Sequence, residues 1–110
     1  MNPEIKEKWI AALRSGEYKQ GTAHLNNKGK FCCLGVLCDL AVKEGEVEVE
    51  VDTYDLRVYY DGCITLLPRS VVVWAGLPNN DPVVVGSKLS TFNDGGHSFD
   101  SLATMIQENL

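Results

Sequence analysis

The segment FCCLGVLCDLAVKEG constrains the fold more than any other part of the chain. Between Cys33 and Lys43 the apolar residues recur at helical spacing, with Leu34, Leu37, Leu40 and Ala41 on one face and Cys33 and Val36 widening it. A helix so nearly apolar all round needs other elements around it, so it is predicted to be the buried central helix. Gly45 is its natural stop, and Asp39 and Lys43, four apart, mark its outer strip.

Helices are expected towards both ends as well. Asn2 caps a run that starts at Pro3 and carries Ile5, Trp9, Ala12 and Leu13 on one face until Gly16. Ser98 caps a final run with Phe99, Leu102, Ala103 and Ile106 inward. Pro68 opens a short helix to Ala75 that Gly76 closes, although Val71, Val72 and Val73 in a row keep a strand as the alternative. Lys88 to Asn93 reads as a helical turn closed by Gly95 and Gly96.

The extended pieces lie between these helices. Asn26, Asn27 and Gly29 form a turn, so TAHL and KFC are expected to pair as a hairpin. EVEVEVD alternates strictly, Val47, Val49 and Val51 against Glu46, Glu48 and Glu50, the pattern of a half-solvated strand. Asp61-Gly62 favours a type I′ turn joining Leu56–Tyr60 to Cys63–Leu66, and Pro82 to Val85 is a further short strand ended by Gly86. The expectation is one α+β domain over residues 1–110, long enough for a core of its own: a small antiparallel β-meander with N-terminal, central and C-terminal helices packed on one face.

Charge narrows the partners. Up to Gly45 there are seven basic and five acidic residues, and beyond it three basic and ten acidic, for a net −5. Long nucleic acid is therefore not expected as a partner, since affinity there comes from neutralising many phosphates. A small anion needs only a few local donors. The longest apolar stretch, Val71 to Leu77, is far short of the roughly 20 residues of a bilayer span, and MNPEIKEKW lacks the secretory pattern. A cytoplasmic location without membrane contact is expected. Adjacent Cys32 and Cys33, with Cys38 on the same helix, are poorly placed to bridge, which fits free thiols.

Cys32 and Cys33 stand at a helix start, where dipole and amides favour a thiolate, and a nucleophile there would need His24 or His97 beside it. The plainer reading is that they are small core hydrophobes. The spacing CC-x4-C fits no zinc pattern, and Walker, GxGxxG, GxSxG and HExxH motifs are missing, so no metal, cofactor or catalytic residue is assigned. NDGG at Asn93 to Gly96, ahead of the helix at Ser98, offers backbone amides to an anion, and Tyr18 or Trp74 could stack on a base.

The combination of KWIAALRSGEYKQGTAHL, FCCLGVLCDLAV, LP before VVVWAGL, and LSTFNDGGHSFDSLATMIQENL resembles a group of small proteins encoded by tailed bacteriophages and prophages, over nearly the whole chain. That resemblance implies an accessory protein at work in the host cytoplasm and carries over no catalytic residue. By analogy with oligomeric sponges of host immune signals, the leading expectation is a homo-oligomer that sequesters a small anionic nucleotide, such as a cyclic dinucleotide or cyclic ADP-ribose derivative, without catalysis. Its expected contacts are Arg69, Ser70 and Trp74 on the short helix, Asn93, His97 and Ser98 at the glycine-rich loop, and Arg14, Tyr18 and Lys19 around the first turn, with Arg57 as a further phosphate contact. Two alternatives stand beside it: a cysteine hydrolase using Cys32 or Cys33 with His97, and an inhibitor of a host enzyme whose Glu46, Glu48 and Glu50 face mimics nucleic acid charge.

Overall fold

A computed structural model describes residues Met1–Leu110. Helix α1 (Pro3–Arg14) begins where the Asn2 side chain accepts from the amides of Glu4 and Ile5 at 2.9 and 3.2 Å, and Pro3 fills a position whose N–H would lack a partner. Its Ile5, Trp9 and Leu13 stripe is buried. Helix α2 (Cys33–Lys43) is the centre of the molecule, buried from Cys33 to Cys38 and again at Ala41. It stops as expected: Gly45, at φ +73°, lets its own amide reach Val42 O at 3.0 Å and that of Glu46 reach Ala41 O at 2.9 Å. The Trp9 indole N–H donates to the Cys33 carbonyl at 3.0 Å, which fixes α1 on the start of α2.

Three further helices complete the shell: α3 (Arg69–Ala75), α4 (Leu89–Asp94) and α5 (Phe99–Asn109). Helix α3 resolves the open alternative in favour of helix, ended by Gly76 at φ +67°. Helix α5 lies along α1, begun by Ser98, whose hydroxyl accepts from the Ser101 amide at 3.1 Å. Its Phe99, Leu102, Ala103 and Ile106 face inward as the spacing predicts.

The strands form two small sheets, so the α+β class holds. In one, β1 (Lys19–Gln20) runs parallel to β3 (Lys30–Phe31), and β2 (Asn26–Asn27) runs antiparallel to β3. The hairpin is tighter than TAHL with KFC, because Lys28 and Gly29 take left-handed φ of +53° and +84° and free Asn26 and Asn27 to act as strand. In the other, β4 (Val49–Val51) pairs antiparallel with β5 (Val58–Tyr60). Asp61 and Gly62, at φ +45° and +82°, make the expected I′ turn, with Tyr60 and Cys63 exchanging bonds of 2.8 and 2.9 Å. The ladder stops there because Ile64 O is taken by the Leu25 amide at 2.9 Å, which draws the chain towards the first sheet. The Val47, Val49, Val51 face reaches the core only at Val47; Val49 and Val51 are 43% and 54% exposed. Of the strand expected at Pro82 to Val85 there is a single bridge, Val83 to Lys88, around the turn at Gly86. All four cysteines are free, and no helix is long and apolar enough to cross a membrane.

Candidate functional site

The residues singled out from the sequence lie in separate places. Arg14 is fastened across α5, its Nε 3.2 Å from Asp100 Oδ1 and its Nη2 donating to Thr104 Oγ1 at 2.9 Å. The Tyr18 hydroxyl donates to Asp39 and accepts from Lys43 Nζ at 3.2 Å, and Lys19 stands exposed on β1. Ser70 donates to Asp61, while Trp74 is half-buried against the core. Arg69 stands exposed beside Cys63, Leu67 and Asn80 in a shallow groove. His97 rests edge-on against Phe92, with Nδ1 3.4 Å from Ser101 Oγ, and Ser98 spends its hydroxyl as the cap of α5. Asn93 is 1% exposed and its amide is fully engaged inside the protein. Its oxygen accepts from Cys33 N and Gln20 Nε2 at 3.1 and 3.0 Å, and its nitrogen donates to Gly21 O and Asp94 Oδ1 at 2.9 and 3.1 Å. The fold does not gather these groups into one recess.

It does gather another set. A recess of about 220 Å³ opens between the β2–β3 turn and the β4–β5 connection, lined by His24, Asn26, Asn27, Lys28, Asp55 and Arg57. One wall is held by the left-handed Lys28–Gly29 turn, closed by Asn26 Oδ1 accepting from Gly29 N at 2.9 Å. Asn26 also donates to the Tyr60 hydroxyl at 3.3 Å, a phenol that burial pushes up to about 12. The other wall is a turn built on Asp52, whose carboxylate accepts from Tyr54 N at 2.7 Å, followed by Leu56 at φ +60°. Arg57 Nε lies 3.4 Å from Asp55 Oδ2, and the lining as a whole holds one acid, two cations and an imidazole. The Leu25–Ile64 bond behind the recess brings the two walls together.

On the far side of residues 23–24 lies a wider cleft of about 460 Å³, with Cys32 at its floor and Asp81, Lys88, Ser90, Thr91 and Asp94 around it. Asp81 is buried and caps α4 from a distance, accepting from Ser90 N at 3.1 Å and from the Ser90 hydroxyl. Asp94 accepts from Ala23 N at 3.1 Å. Acceptors outnumber cations here, and the lining contains no imidazole. Burial pushes the Cys32 thiol up to about 11, against the downward pull of the Gly35 and Leu34 amides, and the same cause raises Cys33 and Cys38 well above the usual thiol range. The helix start therefore leaves these thiols protonated, because desolvation outweighs the dipole. Brief treatment with iodoacetamide at neutral pH is expected to label half-exposed Cys63 and to spare Cys32, Cys33 and Cys38 until the protein unfolds. Peptide mass spectrometry reads the order, and early labelling of Cys32 would show a poised nucleophile.

Sequence reasoning names Arg57 but reads Asn26 and Asn27, with Gly29, only as a turn, reads His24 only as a partner for cysteine, and does not single out Lys28. A signal was present in Lys28, a cation at the tip of a tight turn, but nothing local tied it to Arg57. Among the comparisons with known proteins, a family model described as Domain of unknown function (DUF8296) matches residues 1–110. No curated protein and no solved structure matches.

Proposed function

We propose, for a chain that belongs to the family of this domain of unknown function, that it is a phage accessory protein which captures a small nucleotide-derived host signal and withholds it unchanged. The observation that carries the reading is the convergence of His24, Lys28 and Arg57 on one recess of a protein with net charge −5. The overall charge repels anions at long range, so retention rests on local donors, where a planar guanidinium and an ammonium can share a phosphate. The exposed Asn27 side chain suits the edge of a base. The exposed carboxylate of Asp94, in the cleft it lines with Cys32 and Lys88, suits a ribose hydroxyl, the role an acidic residue plays in dinucleotide sites. Withholding rather than turnover agrees with the buried, protonated Cys32.

Calorimetry with cyclic dinucleotides and cyclic ADP-ribose isomers, on wild type and on Arg57→Ala, Lys28→Ala and Arg69→Ala, tests the reading. Losing one charge-assisted contact of about 1.5–3 kcal/mol should weaken binding ~10- to 100-fold for Arg57→Ala and Lys28→Ala. Arg69→Ala, in a different groove, should leave it intact. Loss with Arg69→Ala alone would move the site to α3, and equal heat from all four proteins would remove the recess from the account.

A further inference from the structure

The β4–β5 ribbon has one open side. Glu48 and Asp52 turn their backbone groups towards β5: Asp61 N donates to Glu48 O at 2.8 Å and Asp52 N to Arg57 O at 2.8 Å. Antiparallel pairing alternates, so Glu50 faces β5 as well, opposite Tyr59, and the N–H and C=O groups of Val49 and Val51 point outward from a sheet whose order is β4–β5 alone. Such an edge is a template for another strand. Its side chains are exposed too, with Val49 and Val51 on one face and Glu48 and Glu50 on the other, and Tyr54, 99% exposed, and Leu56 beyond the end of the strand.

We propose that the outer edge of β4 docks an extended segment of a partner protein in which Lys or Arg alternates with apolar residues, added antiparallel as a third strand. Charge complementarity selects that occupant over a second copy of the chain. Antiparallel pairing of β4 with itself sets Glu50 opposite Glu50 and Glu48 opposite Asp52, and a register shifted by two sets Glu48 opposite Glu50. Like charges directly opposite are destabilising, so the edge is guarded against its own copies and open to a basic guest. In the docked ladder the guest's apolar residues lie opposite Val49 and Val51 and exchange both bonds with them. Its basic residues lie opposite Glu48, Glu50 and Asp52, with their own amides turned away. None of this depends on the His24–Arg57 recess.

A peptide of repeating Lys-Val supplies the probe, followed by fluorescence anisotropy and by hydrogen exchange at Val49 and Val51. Binding is expected to slow exchange at those two amides and to weaken with salt. N-methylation of the peptide's valines should abolish binding, whereas N-methylation of its lysines should not. The combined Glu48→Lys and Glu50→Lys variant, whose two glutamates make no side-chain bonds in the fold, should lose at least about tenfold in affinity. Unchanged melting of that variant separates lost docking from lost folding. The proposal is overturned if both methylated peptides bind alike, if neither parent nor variant binds, or if the protein alone self-associates with Val49 and Val51 protected.

Discussion

Gly35→Ala is expected to cost at least about 4 kcal/mol, which would leave a domain of ordinary stability barely folded. Within a helix the change should on its own gain about 0.5–1 kcal/mol, because glycine is the poorer helix former. Tertiary structure reverses the sign. A Cβ at Gly35 would sit 1.7 Å from the Leu25 carbonyl oxygen and 2.5 Å from its carbon, both backbone atoms. Leu25 cannot step aside: its side chain is fully buried, its amide donates to Ile64 O at 2.9 Å, and its neighbour His24 accepts from Cys32 N at 3.3 Å. Overpacking by a methyl usually costs about 1–3 kcal/mol, and backbone against backbone places this case above that range. Urea unfolding measures the loss, and a variant within about 1 kcal/mol of wild type would show that α2 and Leu25 are not in contact.

Asn93→Leu is the second large effect, expected at about 3–5 kcal/mol despite its similar volume. The change orphans the buried Cys33 amide at the first turn of α2 and the Gly21 carbonyl, each worth about 1–3 kcal/mol once unpartnered, and removes the bonds to Gln20 and Asp94. Asn93→Asp separates hydrogen bonding from shape. It keeps an acceptor for Cys33 and Gln20 but turns a carboxylate oxygen towards Gly21 O and Asp94. Burial and that like charge raise the introduced carboxyl's pKa in the folded state, so its penalty is absent below the unfolded value near 4 and grows as pH rises. Thermal melts across acid and neutral pH should therefore converge on wild type at low pH for Asn93→Asp and stay apart for Asn93→Leu. Parallel curves for the two would contradict a clasp made of hydrogen bonds.

The helices were legible because their determinants are local. Asn2 with Pro3, Ser98, Gly45 and Gly76 each act within a turn of where they stand, and the apolar spacing of α1, α2 and α5 survives in the core. The strands were less so. Strict alternation in EVEVEVD describes a ribbon able to bury one face, but whether anything covers Val49 and Val51 depends on where the helices end. The parallel pairing of β1 with β3 joins segments that no local pattern relates. The recess escaped notice for the same reason, since Lys28 and Arg57 sit on turns brought together only by long-range bonds, Leu25 to Ile64 and Asn26 to Tyr60. Asn93 is the converse case: its place ahead of Gly95 and Gly96 suggests a ligand contact, whereas in α4 its amide is buried and hydrogen-bonded within the protein.

Capture without chemistry is tested most directly by following the ligand itself. Excess protein is mixed with whichever cyclic dinucleotide or cyclic ADP-ribose isomer gives heat in calorimetry, the filtrate is assayed, and the retained fraction is heated and assayed again by mass spectrometry. The expected result is that the ligand vanishes from the filtrate and returns on heating with its mass and ring intact. A ligand that never leaves the filtrate, or that returns opened or hydrolysed, would contradict it.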